Sequence, residues 1–189
     1  MTRVLIVNGH PDARPERLSA ALAAAYEEGA LQAGHQVRRI DVGALDFPLI
    51  RSTADFTDKE PPEPIRAVQA DVLWAQHLVI VHPLWLGAAP ALLKGFFEQV
   101  FRYGFAIPTG KMGGLLKGRS ARIVVTMGMP APAYRWLFGG FGVRGLSRSV
   151  LWLAGIKPIR TTLLGMVEAE PKRRAAWLER MRALGRRAA

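Results

Sequence analysis

Short β-branched and aliphatic segments recur along the chain at Val4–Val7, Val37–Val42, Leu78–Val81, Ala121–Thr126 and Ile159–Leu164. They lack the alternation of a half-exposed strand, which marks strands buried on both faces and hence a parallel sheet covered by helices. Helical patterns separate them. Leu18–Ala33 places Leu18, Leu22, Tyr26 and Ala30 four apart, and Gly34 stops it. Ile65–Ala75 follows, then Ala91–Arg102 opened by Pro90, Leu146–Ala154 ended by Gly155, and Pro171–Arg187. Phe47–Pro64 reads as a polar, Pro-rich connection, Gly104–Gly118 as loop, and Ala133–Gly145 as an aromatic, Gly-rich loop. This β-α alternation predicts a three-layer α/β fold, a doubly wound five-stranded parallel sheet in one domain spanning residues 1–189.

A chain of 189 residues suits one core. Cysteine is absent, which excludes a disulfide scaffold, a thiol nucleophile and Cys-ligated metals. Any redox chemistry must then come from a bound cofactor. No His/acid spacing suggests a metal site. The apolar run before Asn8 is too short for a secretory signal. Leu78–Leu93 is broken by His82, Pro83 and Pro90 and falls short of the ~20 residues of a spanning helix. A cytoplasmic protein without membrane insertion is expected.

In an open α/β sheet the ligand sits beyond the carboxyl ends of the strands, where strand order reverses. Three such ends are unusual here. The first strand runs into Gly9-His10-Pro11-Asp12-Ala13-Arg14-Pro15-Glu16-Arg17, a polar loop entering a helix. Free N–H groups at a helix start favour an anion, and Arg14, Arg17 and Ser19 add candidate contacts. The third strand ends in His82-Pro83-Leu84-Trp85-Leu86-Gly87, an apolar wall for a planar ligand. The fourth ends in Thr126-Met127-Gly128-Met129-Pro130, and near Gly87 and Gly128 backbone amides can come close to a polar ring edge. An anion at one end and a planar heterocycle at the other describe a flavin nucleotide.

With these residues the chain resembles the flavodoxin-like NAD(P)H:quinone oxidoreductases over nearly its whole length. The likeness rests on Leu5-Ile6-Val7-Asn8-Gly9-His10-Pro11, on Ala21-Leu22 through Tyr26 and Gly29 to Gly34-His35, and on Ala70-Asp71. It is strongest from Pro83 to Phe101, followed by Gly104-Phe105-Ala106. The resemblance implies strand order 2-1-3-4-5, bound FAD or FMN, and a homodimer with its active sites at the interface. It also implies two-electron reduction of quinones or similar acceptors by NADH or NADPH.

By position, His10, Arg17, Leu18 and Ser19 match the family's phosphate loop. Pro83, Leu84, Trp85 and Leu86, with Gly87 after them, match its flavin wall. Thr126, Met127, Gly128 and Met129 match the loop at the flavin's polar edge, and Tyr134 matches the Tyr beside it. The resemblance suggests that the Tyr134 hydroxyl and amides near Gly128 stabilise negative charge at that edge. Nicotinamide and acceptor would share one site, giving ping-pong kinetics. Three departures stand out. The first loop is two residues longer and puts Arg17 where Ser is customary. Gly140 replaces a His six residues after the Tyr. Ile107 stands where aromatic pocket residues are common.

The net charge of +11 is uneven, since residues 102–189 hold most of the Lys and Arg. No nucleic-acid-reading motif accompanies it, so a solvated basic surface is expected, with Lys172–Arg187 a solvated helix face. Arg135, Arg144 and Arg148 are expected to flank the site mouth and steer anionic NAD(P)H. Gly140–Gly145 spells G-x-G-x-x-G but follows no strand, so it reads as a mobile loop over the site. His10 and His82 read as hydrogen-bonded loop residues, His35 and His77 as surface or packing residues, and Glu98–Arg102 as an i,i+4 pair. The alternative function is a flavodoxin-like regulatory or electron-carrier protein without quinone turnover.

Overall fold

A computed structural model describes residues 1–57, 60–110, 113–168 and 171–189. Residues 58–59 of the polar connection, 111–112 of the Gly104–Gly118 loop, and 169–170 lie outside the described residues, as do the side chains of residues 171 and 172. Five strands, β1 (Arg3–Asn8), β2 (Gln36–Asp41), β3 (His77–Pro83), β4 (Ser120–Thr126) and β5 (Ile159–Leu164), form one parallel sheet of order β2-β1-β3-β4-β5. This is the expected doubly wound, flavodoxin-like topology. β1, β3 and β4 are buried on both faces, as their apolar runs require. The edge strands β2 and β5 are covered only in part and leave several side chains in solvent.

One face of the sheet carries Val4, Ile6, Val79, Val81 and Val124, covered by α1 (Leu18–Gln32) and α7 (Pro171–Arg186). The stripe Leu22, Tyr26 and Ala30 is fully buried there, with Met181 and Leu184 packed from α7. The other face carries Leu5, Val7, Leu78, Ile80, Ile123 and Val125 beneath α3 (Glu63–Trp74) and α4 (Ala91–Val100). A short helix, α2 (Thr53–Thr57), interrupts the polar connection and buries none of its residues.

The stretch expected as an aromatic loop is helical instead. It forms α5 (Ala131–Trp136) and α6 (Phe141–Arg144), which runs into a π-helix over Gly145–Trp152. Two left-handed glycines, Gly139 (φ 63°) and Gly140 (φ 59°), make the corner between α5 and α6. Gly140 takes that left-handed conformation without the strain most side chains would add there. The Glu98–Arg102 pair is not made: Glu98 pairs with Lys94, and Arg102 turns its guanidinium onto Gln99.

Two buried imidazoles shape the pH response. His82, on β3, has its Nδ1–H donating to the Pro83 carbonyl at 2.8 Å, which leaves Nε2 buried without a partner. His77 lies 2.7 Å from Ser120 Oγ through Nδ1 and stacks on Tyr26. Burial pushes each down from 6.5 to about 4. Unfolded rings take up protons first as pH falls, so stability is full above about pH 6.5 and drains toward pH 4. The loss is on the order of 3 kcal/mol per ring. Urea midpoints should drop steeply between pH 7 and 4.5. A flat midpoint would contradict neutral burial.

Candidate functional site

Three loops leave the carboxyl ends of adjacent strands β1, β3 and β4. Hydrogen bonds knit their roots together: Gly9 N–H donates to the Val81 carbonyl at 2.8 Å and Leu84 N–H to the Thr126 carbonyl at 2.7 Å.

The β1 loop folds on its own side chains. Asn8 Oδ1 accepts from His10 N–H, and Asn8 Nδ2 donates to Asp41 at 2.8 Å. Asp12 N–H donates to His10 Nδ1 at 2.9 Å, which fixes the neutral tautomer and leaves Nε2–H as a donor. Burial and Arg17 both lower the pKa of His10, keeping that ring neutral at pH 7. Asp12 sits between two guanidinium groups, 2.7 Å from Arg14 and 2.5 Å from Arg17. Hydrogen bonding to Arg14 above all holds its carboxyl far below the usual range. Both arginines expected at the phosphate are thus orientated by one acid that sequence reasoning did not assign. Arg17 is the N-cap of α1 and gives it no side-chain cap, and the first turn holds no acidic residue. That positive helix end remains available to an anion. Leu18 is half-buried, and Ser19 is buried against the core side of the helix.

The β3 loop is a tight hairpin. Trp85 and Ala88 exchange both backbone hydrogen bonds, 2.9 and 3.0 Å, around Leu86 (φ 49°) and Gly87 (φ 81°). Positive φ at both central residues is the type I′ geometry, natural for Gly87 and strained for Leu86. Pro83 and Leu84 are partly buried, and Leu84 packs on the core. Leu86 projects wholly into solvent at the tip, so the exposed wall is Trp85, 48% accessible. Its ring meets the edge of His10 at 5.7 Å and 81°, joining the first two loops.

The β4 loop turns Thr126 and Met127 inward. Their backbones are engaged too, Met127 N–H donating to the Leu164 carbonyl at 2.9 Å. Met129 is partly buried and its carbonyl accepts from Met166 N–H. Gly128 faces open space, with nothing within 4 Å of where a side chain would begin.

Tyr134, on α5, is buried beneath these loops. Its hydroxyl donates to the Gly87 carbonyl at 3.1 Å and accepts from Val143 N–H at 3.2 Å. Val143 lies in the first turn of α6, whose N-cap Gly140 has no side chain to offer. The phenol therefore caps α6 and pins the I′ turn at once. Gly142 completes the clamp: a Cβ there would stand 2.3 Å from the Gly87 carbonyl oxygen. The segment expected to be a mobile loop is packed against the turn. Gly142 and Val143 are the residues sequence reasoning missed, although the close G-x-G spacing could have signalled a backbone contact. Tyr134→Phe removes both bonds and leaves a buried N–H unpaired. It is expected to cost about 1–3 kcal/mol, measured by urea unfolding.

The uncapped helix end, half-exposed indole and open glycine edge lie near the point where strand order reverses, where doubly wound α/β proteins carry their ligand sites. The family model described as flavodoxin-like fold matches residues 2–184, and the chain belongs to that family. It is 28% identical over 186 residues to an uncharacterized NAD(P)H oxidoreductase of Haemophilus influenzae, covering 93% of this chain and 90% of that one. It is 26% identical over 179 residues to a ribosyldihydronicotinamide dehydrogenase-like protein of Penicillium crustosum. That match covers 79% of this chain and only 65% of the relative's length. Among solved structures, an NAD(P)H:quinone oxidoreductase from Methanothermobacter marburgensis superposes with a TM-score of 0.83 at 23% identity, covering 98% of this chain and 96% of that one.

Proposed function

We propose that this protein is a flavin-dependent oxidoreductase that takes reducing equivalents from NAD(P)H and passes them to quinones or similar acceptors, working as a homodimer. The observation that carries this is the convergence of the uncapped α1 terminus, the exposed face of Trp85 and the open Gly128 edge at the carboxyl end of the sheet. The residues present fit a flavin nucleotide. The α1 amides, Arg17 and the His10 Nε2–H would hold its phosphate, Trp85 would line its ring, and the Gly128 backbone would approach its polar edge. Bound there, FAD or FMN supplies hydride acceptance and donation. Tyr134 serves as a positioning residue in this reading, since both hydrogen-bonding functions of its hydroxyl are committed to Gly87 and Val143.

The test is optical. The purified protein, or protein reconstituted with FMN or FAD, should absorb near about 450 nm and bleach with NAD(P)H under nitrogen. Protein that neither takes up flavin nor oxidises NAD(P)H overturns the reading. Identification of the released nucleotide separates FAD from FMN. Parallel initial-rate lines are expected if both substrates use one site, and intersecting lines would exclude that. Light scattering should give twice the 20.8 kDa chain mass.

A further inference from the structure

Among the described residues no polar residue is more completely covered than Asn8, at 0% exposure. It ends β1 on the face of Val4 and Ile6. An aliphatic side chain would serve the sheet better there, since a buried amide costs stability unless both its ends are bonded. Here both are. Nδ2 donates to Oδ1 of Asp41, its register partner at the end of β2, at 2.8 Å, and Oδ1 accepts from His10 N–H at 3.4 Å. The reverse orientation would set the amide oxygen against a carboxylate, so the direction is fixed. Asp41 Oδ1 also accepts from Arg39 Nη2 at 2.8 Å, and Arg39 reaches Glu27 of α1 at 3.7 Å. A polar chain thus runs from the body of α1 through β2 and the end of β1 to the loop that starts α1. The same corner of β2 also meets that loop's backbone. A Cβ on Gly43 would stand 2.2 Å from the Pro11 carbonyl oxygen and 2.9 Å from that of His10.

The loop braced in this way carries the His10 ring and Arg17 to the uncapped end of α1. We infer that Asn8 and Asp41 are positioning residues which, with Gly43, hold the β1 loop in its anion-receiving shape before the ligand arrives. The phosphate end of the site is then set from the edge strand β2, and the loop is ordered on folding rather than on binding. Only a ligand that carries a phosphate should sense the brace, whereas a network serving the sheet alone would act on every ligand equally. This inference rests on the flavin reading.

Fluorescence titration of flavin-free protein can compare FMN with riboflavin, which has the same ring and no phosphate. At about pH 8, Asn8→Asp keeps the side-chain size and the acceptor for His10 N–H but sets two carboxylates face to face. It should raise the FMN dissociation constant about 30-fold and leave that of riboflavin within about 2-fold of wild type. Asp41→Asn alone keeps an acceptor for Asn8 and should change FMN affinity less than about 3-fold. Asn8→Asp combined with Asp41→Asn exchanges donor and acceptor, and should recover most of the FMN affinity. Gly43→Ala disturbs the loop from outside the strand and decides the matter if Asn8→Asp does not fold. It should weaken FMN about 10-fold and spare riboflavin. Equal loss of both flavins, unchanged FMN affinity, or no recovery in the double variant would overturn the inference while leaving the flavin reading intact. Wild-type protein that binds neither flavin would overturn both.

Discussion

Gly142→Val is expected to raise the flavin dissociation constant about 100-fold while leaving the fold in place. Even an added Cβ would meet the Gly87 carbonyl oxygen at 2.3 Å and the Ala88 Cα at 2.6 Å. Backbone cannot step aside as a flexible side chain can, so the I′ turn must swing away and take Trp85 with it. Overpacking of this kind costs roughly 1–3 kcal/mol, and about 3 kcal/mol corresponds to the stated factor. The sheet lies beneath the turn, so far-UV circular dichroism should be retained. Gly145→Ala is the matched control. It has helical angles (φ −58°, ψ −53°) and open space, and should keep its flavin and gain about 0.5–1 kcal/mol. Wild-type flavin affinity in Gly142→Val would show that the turn is not the flavin wall.

The second large effect lies at the opposite end of the energetics, in global stability. α1 and α7 touch backbone to backbone at two glycines. A Cβ on Gly29 would stand 2.1 Å from the Arg182 carbonyl oxygen, and one on Gly185 would stand 2.1 Å from that of Tyr26. Either Gly→Val change levers α7 off the sheet and exposes Met181, Leu184 and the buried ring of Tyr26. We expect a loss of about 3 kcal/mol or more, a fall in Tm of about 10 °C for a chain of this size. The double variant should cost less than the two single changes together, because the first already separates the helices. Additive losses would show that the two contacts act independently.

The sheet was legible because a parallel strand buried on both faces can be read from a few consecutive side chains. Leu78–Val81 and Ala121–Thr126 are short and rich in Val and Ile, which favours a strand over a buried helix. Segment 131–152 was not, for equally physical reasons. Helices of six and four residues are too short to display a period, and Gly139-Gly140 looks like loop although it makes a corner. The site divides in the same way. His10, Arg17 and Trp85 lie on the converging loops where their positions in the chain suggested. The roles of Asp12, Gly142 and the Tyr134 hydroxyl depend on neighbours 2 to 55 residues away in the chain. Leu86 illustrates the limit: nothing in a Leu announces a left-handed backbone, and its tip position sends into solvent a side chain expected to line the wall.

The Tyr134 hydroxyl touches two things at once, the turn beside the candidate flavin site and the first turn of α6, which runs on into the Gly145–Trp152 helix. A phenol shared in this way is a thermodynamic joint. Any ligand that tightens one side changes the work of moving the other, and linkage requires the change to be equal in both directions. If a ligand held by the Gly145–Trp152 segment alters flavin affinity by some factor, flavin must alter the affinity of that ligand by the same factor. Tyr134→Phe should shrink both numbers together.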